Sequence, residues 1–124
     1  MHRSRLAGYI IDCKTDDLEA AADFWSAALG YERKPDVEQG IYIGLQHPDT
    51  EPYVEVQQVG HESRIHLDIE SDDIEAEVRR LEALGVKRLG QVKTWVVMEA
   101  PTGHRFCVIN KGHKHFDETA NHWE

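Results

Sequence analysis

Six side chains in this sequence are candidates for binding or transforming a small molecule: His66, Cys107, Glu55, Gln57, Tyr42 and Trp95. An imidazole titrates near neutral pH, so His66 could orient a ligand, move a proton or ligate a metal. Alone it cannot hold a catalytic metal, which needs about three protein donors and an open position. Cys107 as a thiolate could join it on zinc or another thiolate-tolerant ion, with Glu55 or Gln57 supplying an oxygen. Glu55 and Gln57 share parity in YVEVQQV and therefore leave one face of a strand. Between apolar walls Glu55 would be a candidate base for a proton next to a carbonyl, with its pKa raised. Each residue also has a plainer reading. His66 can be a neutral imidazole satisfied by the protein, Glu55 an ordinary strand carboxylate, Tyr42 and Trp95 plain core aromatics, and Cys13 and Cys107 small core hydrophobes. A nucleophilic Cys107 with His66 as its base finds no glycine-rich elbow or helix N-terminus to lower the thiol pKa.

The elements that must position these groups are written twice. Residues 11–20, IDCKTDDLEA, and residues 67–76, LDIESDDIEA, superpose with a gapless shift of 56. Five of the ten pairs are identical, Asp12/Asp68 among them, and the same shift sets His66 against Ile10. In each copy an aspartate followed three residues later by a glutamate (Asp16 and Glu19, Asp72 and Glu75) has the capping-box spacing of a helix start. Leu18, Ala21, Ala22, Trp25 and Leu29 then make one apolar stripe, as do Ile74, Val78, Leu81 and Leu84 in the second copy. Gly30 and Gly85 stand where helices stop. Before the first helix, residues 6–13 form a mostly apolar strand. After it, strand-like stretches occupy 31–34, 41–45 and 53–59, separated by 36–40 and by the turn-rich 47–52. The second half repeats the order with 64–69, 87–91, 94–99 and 106–110. Two βαβββ modules, at about 5–60 and 63–110, are expected within a single domain of residues 1–124, with an extension at 111–124. Two copies are too few for a solenoid. They are expected to pair about a pseudo-twofold axis, each sheet covered on one face by its helix, leaving the other faces to curl into a cup-shaped mixed sheet of α+β class.

A chain of 124 residues with 40% hydrophobic and 30% charged content has the size and composition of one globular domain. No apolar run approaches the ~20 residues of a membrane span, and MHRSRLAG lacks the apolar segment of a secretory leader, so a cytoplasmic protein is expected. The net charge of −9, with basic residues scattered, argues against nucleic acid as partner. His113, His115 and His122 in the tail are too irregularly spaced for a built metal site; the tail is expected to be mostly solvated, with Phe116 and Trp123 docking on the domain or on a second subunit.

The βαβββ-βαβββ order, the helix ends FWSAALG and RLEALG, and the closing APTGHRFCVI resemble the vicinal oxygen chelate superfamily, of glyoxalase I, bleomycin-resistance proteins and extradiol dioxygenases, and most closely its small glyoxalase-like domains. The resemblance implies the glyoxalase/bleomycin-resistance fold, a homodimer, and a divalent metal (Zn, Ni, Mn or Fe) in the cup acting as a Lewis acid. His66 matches a customary ligand position, whereas Ile10 and Cys107 stand where the other ligands would be. The expected function is therefore binding of a small aromatic or amphipathic molecule without an obligatory metal, through His66, Glu55, Gln57, Tyr42, Trp95 and Cys107. A metal-dependent lyase, isomerase or dioxygenase using His66, with Cys107, is the alternative; a dimerisation module with a vestigial cup is the third reading.

Overall fold

The computed structural model describes residues 1–124. The chain runs β1 (His2–Lys14), α1 (Leu18–Leu29), β2 (Arg33–Glu38), β3 (Tyr42–Leu45), β4 (Tyr53–Val59), β5 (Arg64–Ser71), α2 (Ile74–Glu82), β6 (Lys87–Val92), β7 (Trp95–Glu99), β8 (Arg105–Asn110), α3 (Phe116–Thr119) and β9 (Asn121–Trp123). Both βαβββ runs are present. By contacts the chain divides into a first unit, Gly8–His66, and a second, Met1–Ala7 with Leu67–Glu124.

In the first unit the strand order is β2-β3-β4-β1, antiparallel except for the parallel β4/β1 pair. Leu18 and Ala22 of α1 pack on Ile43, Leu45 and Val56. Burying each large aliphatic chain there stabilises the unit by about 1.5–3 kcal/mol. Leu29, the last member of the expected stripe, lies outside this cluster and is 44% exposed. Strand β2 runs through the expected connector as far as Glu38, and the chain then reverses on positive φ at Gln39 and Gly40. Gly8 opposes Tyr53 across β1 and β4, and a Cβ at Gly8 would fall inside the Tyr53 ring. Gly8→Ala is expected to cost about 1–3 kcal/mol, as overpacking does, measured as a lower urea midpoint with an unchanged slope.

In the second unit β5-β8-β7-β6 are neighbours, β5/β8 parallel and the rest antiparallel. Val78 and Leu81 of α2 close the core over Val96, Met98, Phe106 and Val108. Leu84 is 63% exposed rather than on the stripe, because α2 stops at Glu82 and Gly85, at φ 97°, follows one further turn.

Both helix caps lie one residue later than the spacing predicts. Thr15 Oγ1 and Ser71 Oγ accept the N–H of Asp17 and Asp73 at 3.0 Å, which tightens each turn. The second aspartate of each pair therefore reaches the helix: Asp17 accepts from Ala20 N–H at 3.0 Å and Asp73 from Ala76 N–H at 3.1 Å. Asp72 is turned to Arg3 instead, accepting its backbone N–H at 2.8 Å and its Nε–H at 3.0 Å. These bonds outweigh the burial that would raise its pKa, and hold the carboxyl below its ordinary range.

The tail is ordered, and as expected most of its residues are exposed while Phe116 and Trp123 turn inward. β9 pairs with the start of β1, His2 opposite Trp123, and Phe116 is 3% exposed. Trp123 donates its indole N–H to Ser4 Oγ at 2.9 Å, and the Arg80 guanidinium stacks 3.8 Å above its ring. The buried Glu70 carboxylate accepts the Gly112 and His113 N–H groups at 2.7 and 3.0 Å, fixing the chain as it leaves β8. No helix is long and apolar enough to cross a membrane.

Candidate functional site

Strand alternation sorts the first unit's side chains. Ile43, Leu45, Val54 and Val56 are committed to the cluster under α1. Their neighbours Tyr42, Gly44, Glu55 and Gln57 must leave the opposite face. The registers Tyr42↔Gln57↔Asp12 and Gly44↔Glu55↔Ile10 continue two rows across that face onto β1.

The first row is polar throughout. Gln57 donates from Nε2 to the Tyr42 hydroxyl at 3.1 Å. Asp12 is 3% exposed, and its Oδ2 lies 2.7 Å from His66 Nδ1. A carboxylate acceptor at that nitrogen selects the tautomer or charge state with a proton on Nδ1. In the neutral ring Nε2 then carries the lone pair. Arg64 Nε stands 3.9 Å from the same carboxylate oxygen, while Asp12 Oδ1 is buried without a hydrogen-bond partner. A carboxylate that orients an imidazole is the arrangement enzymes use to hold a base or a metal ligand in one pose.

A cavity of about 250 Å³ touches Asp12 and is walled by Ile11, Cys13, Trp25, Arg64 and Ile65. Burial pushes the Cys13 thiol up, with the Asp12 charge adding to this and a hydrogen bond with Trp25 opposing it. The thiol therefore stays protonated at neutral pH and is a poor nucleophile.

The structure brings His66, Tyr42, Glu55 and Gln57 into the first unit, all on β3, β4 and the start of β5. Trp95 and Cys107 belong to the second unit. There Val96, Met98, Phe106 and Val108 fill the core, so Trp95, Val97 and Cys107 leave the face away from α2. Cys107 is the register partner of Asp68, which is 7% exposed. A carboxylate and a thiol side by side are two of the three donors a catalytic metal needs. On β5, His66 precedes Asp68 by two residues, the spacing at which strand side chains share a face.

Asp12 and Asp68 are the residues the chemical inventory left out. Their signal was in the sequence: a charge kept at the same place in both copies of the repeat, within otherwise apolar strands.

A family model described as "Glyoxalase-like domain" matches residues 9–109. The chain belongs to that family. Structures of glyoxalase-like architecture agree with it at low sequence identity. A methylmalonyl-CoA epimerase, solved with methylmalonyl-CoA and ammonium, superposes with a TM-score of 0.62 at 18% identity, over 89% of this chain and 96% of that one. A methylmalonyl-CoA epimerase from Mycobacterium tuberculosis gives 0.60 at 17%, over 86% and 87%. A hypothetical protein from Bacillus halodurans gives 0.62 at 14%, over 90% and 96%. No curated protein is significantly similar in sequence. At these identities the likeness establishes the fold, the α+β glyoxalase/bleomycin-resistance fold of the vicinal oxygen chelate superfamily, because one fold hosts many chemistries.

Proposed function

We propose that this glyoxalase-like protein binds a small carbonyl- or hydroxyl-bearing molecule on the polar face of its first unit, with His66 as the anchor and no obligatory metal. The observation that carries this reading is the 2.7 Å bond from the buried Asp12 carboxylate to His66. It fixes the imidazole in one pose. Tyr42, Gln57 and Glu55 supply further polar contacts in the adjoining positions. The same imidazole could take a proton from a carbon next to a carbonyl, which would make the protein an isomerase or lyase. The epimerase whose structure resembles it was solved with an acyl thioester, a ligand of that carbonyl class.

The test is a titration of small aromatics, 2-oxoaldehyde–thiol adducts and acyl thioesters into metal-free wild type and His66→Gln, followed by melting temperature and His66 NMR shifts. A ligand that raises the melting temperature by mass action is expected to bind His66→Gln about 10- to 100-fold more weakly. Equal binding by both proteins removes His66 from the site.

A metal-dependent reading is favoured by one observation, the Asp68–Cys107 pair. They would provide a carboxylate and a thiolate, two donors suited to zinc. Such an ion would supply Lewis-acid polarisation of a bound oxygen. Cobalt(II) titration decides between the readings, since ligation by Cys107 gives a thiolate charge-transfer band that Cys107→Ser abolishes.

A further inference from the structure

Helix α1 is apolar on two sides. Leu18 and Ala22 lie in the core of the first unit, while Ala20, Phe24, Ala27, Ala28 and Leu29 are exposed on the same helix. Helix α2 shows the ordinary arrangement, with Glu75, Arg79 and Glu82 on its exposed side. Phe24 is 61% exposed, so on the order of 100 Å² of its ring faces water. The ring meets that of Trp25 edge to face, with centroids 5.1 Å apart and planes at 84°. Trp25 in turn walls the cavity of about 250 Å³, together with Ile11, Cys13 and the 57% exposed Ile65. One face of the first unit therefore carries a projecting phenyl ring and, next to it, an apolar hollow. A cavity of about 150 Å³ already admits a benzene ring, so this one has room for a phenyl group. Phe24 is no part of the hollow's wall: its ring packs on Trp25, which is.

We infer that a second copy of this chain covers this face, the Phe24 ring of each copy seated in the cavity of the other. A knob and a hollow side by side on one surface are self-complementary, which is what a two-fold interface requires: each copy inserts what the other receives. The occupant must bring an exposed aromatic ring, and Phe24 is the most exposed aromatic side chain of the chain itself. Because the partner supplies the ring, each cavity is complete only in the dimer. Local charge permits the contact although each copy carries −9. The acids of α1 are Glu19 and Asp23, and Arg33 holds both, its Nη2 2.8 Å from Glu19 and its Nη1 3.3 Å from Asp23. The helix is about 18 Å long. With both rings seated the copies cover roughly 500 Å² each, less than the 800 Å² or so of a standard interface. The dimer is accordingly expected to be weak, with a Kd in the micromolar range, and to tighten as salt screens the like charges.

The test is sedimentation velocity of the full chain from low-micromolar to millimolar concentration, at low and high salt. Wild type is expected to pass from monomer to dimer, at lower concentration when salt is high. Phe24→Lys removes the knob and Ile65→Lys sets a charge at the rim of the hollow; each is expected to weaken association more than about tenfold, as loss of an interface anchor does. Val37→Lys, at another exposed apolar residue of the same unit, is expected to leave it unchanged. All three positions are exposed, so melting temperatures of the monomers are expected to match wild type. Should Phe24→Lys melt lower, Phe24→Ser takes its place. A dimer that survives Phe24→Lys or Ile65→Lys, or that Val37→Lys breaks as well, overturns the inference. A wild type that stays monomeric throughout also overturns it, and if indole then raises the melting temperature the hollow belongs to a small aromatic ligand instead.

Discussion

Asp12→Asn lowers ligand affinity at His66 by about 10- to 100-fold, the loss found when the partner that orients a histidine is removed. The asparagine is nearly the same shape, so the strand and its neighbours keep their places. What changes is the hydrogen bond. The Asp12 carboxylate can only accept, so at 2.7 Å it favours the states of the His66 ring that carry a proton on Nδ1. An amide can instead present N–H₂ to that nitrogen and select the other tautomer, with the proton on Nε2. The ring then offers a donor where the wild type offers a lone pair. Nitrogen-15 shifts of His66 separate the two tautomers directly, and the melting temperature of the unliganded protein reports whether the fold has been disturbed. If Asp12→Asn binds the same ligands with wild-type affinity while the tautomer has changed, the dyad is a structural feature and not the anchor. If the protein simply unfolds, His66→Gln carries the question.

The largest effect on stability is expected at Glu77, in the second unit. Its carboxylate is fully buried and holds three groups of the second unit: His2 Nε2 at 2.7 Å, and Arg80 through Nε and Nη2, each at 2.8 Å. The stacked Arg80–Trp123 pair extends the same network to the tail. Glu77→Ala leaves a guanidinium and an imidazole without their acceptor, at a cost of about 3–5 kcal/mol. For a domain of this size that lowers the melting temperature by on the order of 10 °C. Burial alone would push the Glu77 carboxyl up, but hydrogen bonds from Arg80, His2 and Ser4 outweigh it and hold the pKa below its ordinary value. A carboxyl depressed in the folded state stabilises fully above the ordinary range. That contribution is lost as pH falls through about 4 toward the depressed value. Wild type is therefore expected to lose stability on the acid side with a slope that Glu77→Gln, which cannot titrate, flattens. An unchanged acid limb in Glu77→Gln would place the sensitivity elsewhere, with Asp72 and its bonds to Arg3 the next group to replace.

Much of the fold was legible because its signals are local. Helix α1 begins where a small hydroxyl residue and two aspartates precede an apolar stripe, and ends at Gly30, whose φ of 74° a side chain would resist. Strand β4 occupies the stretch its alternation predicted, Tyr53–Val59. The repeat exposed two equivalent modules and, in the pair Asp12/Asp68, one of the site's own residues. The errors were also local in kind. Each cap moved by one residue because the hydroxyl of Thr15 or Ser71 tightened the turn ahead of it.

The sequence by itself determined the element order, the parity that puts Glu55 with Gln57, and the family to which the chain belongs. Tertiary structure decided which face of β4 the helix would cover, that Asp12 would meet an imidazole 54 residues away, and that His2 and Trp123 would be neighbours on paired strands. Period-two alternation fixes which side chains share a face, but a strand's partners come from burial of the whole chain. A charge inside the apolar run 6–13 is an anomaly in the sequence, and it acquires a chemical role only once folding supplies the group that shares its proton.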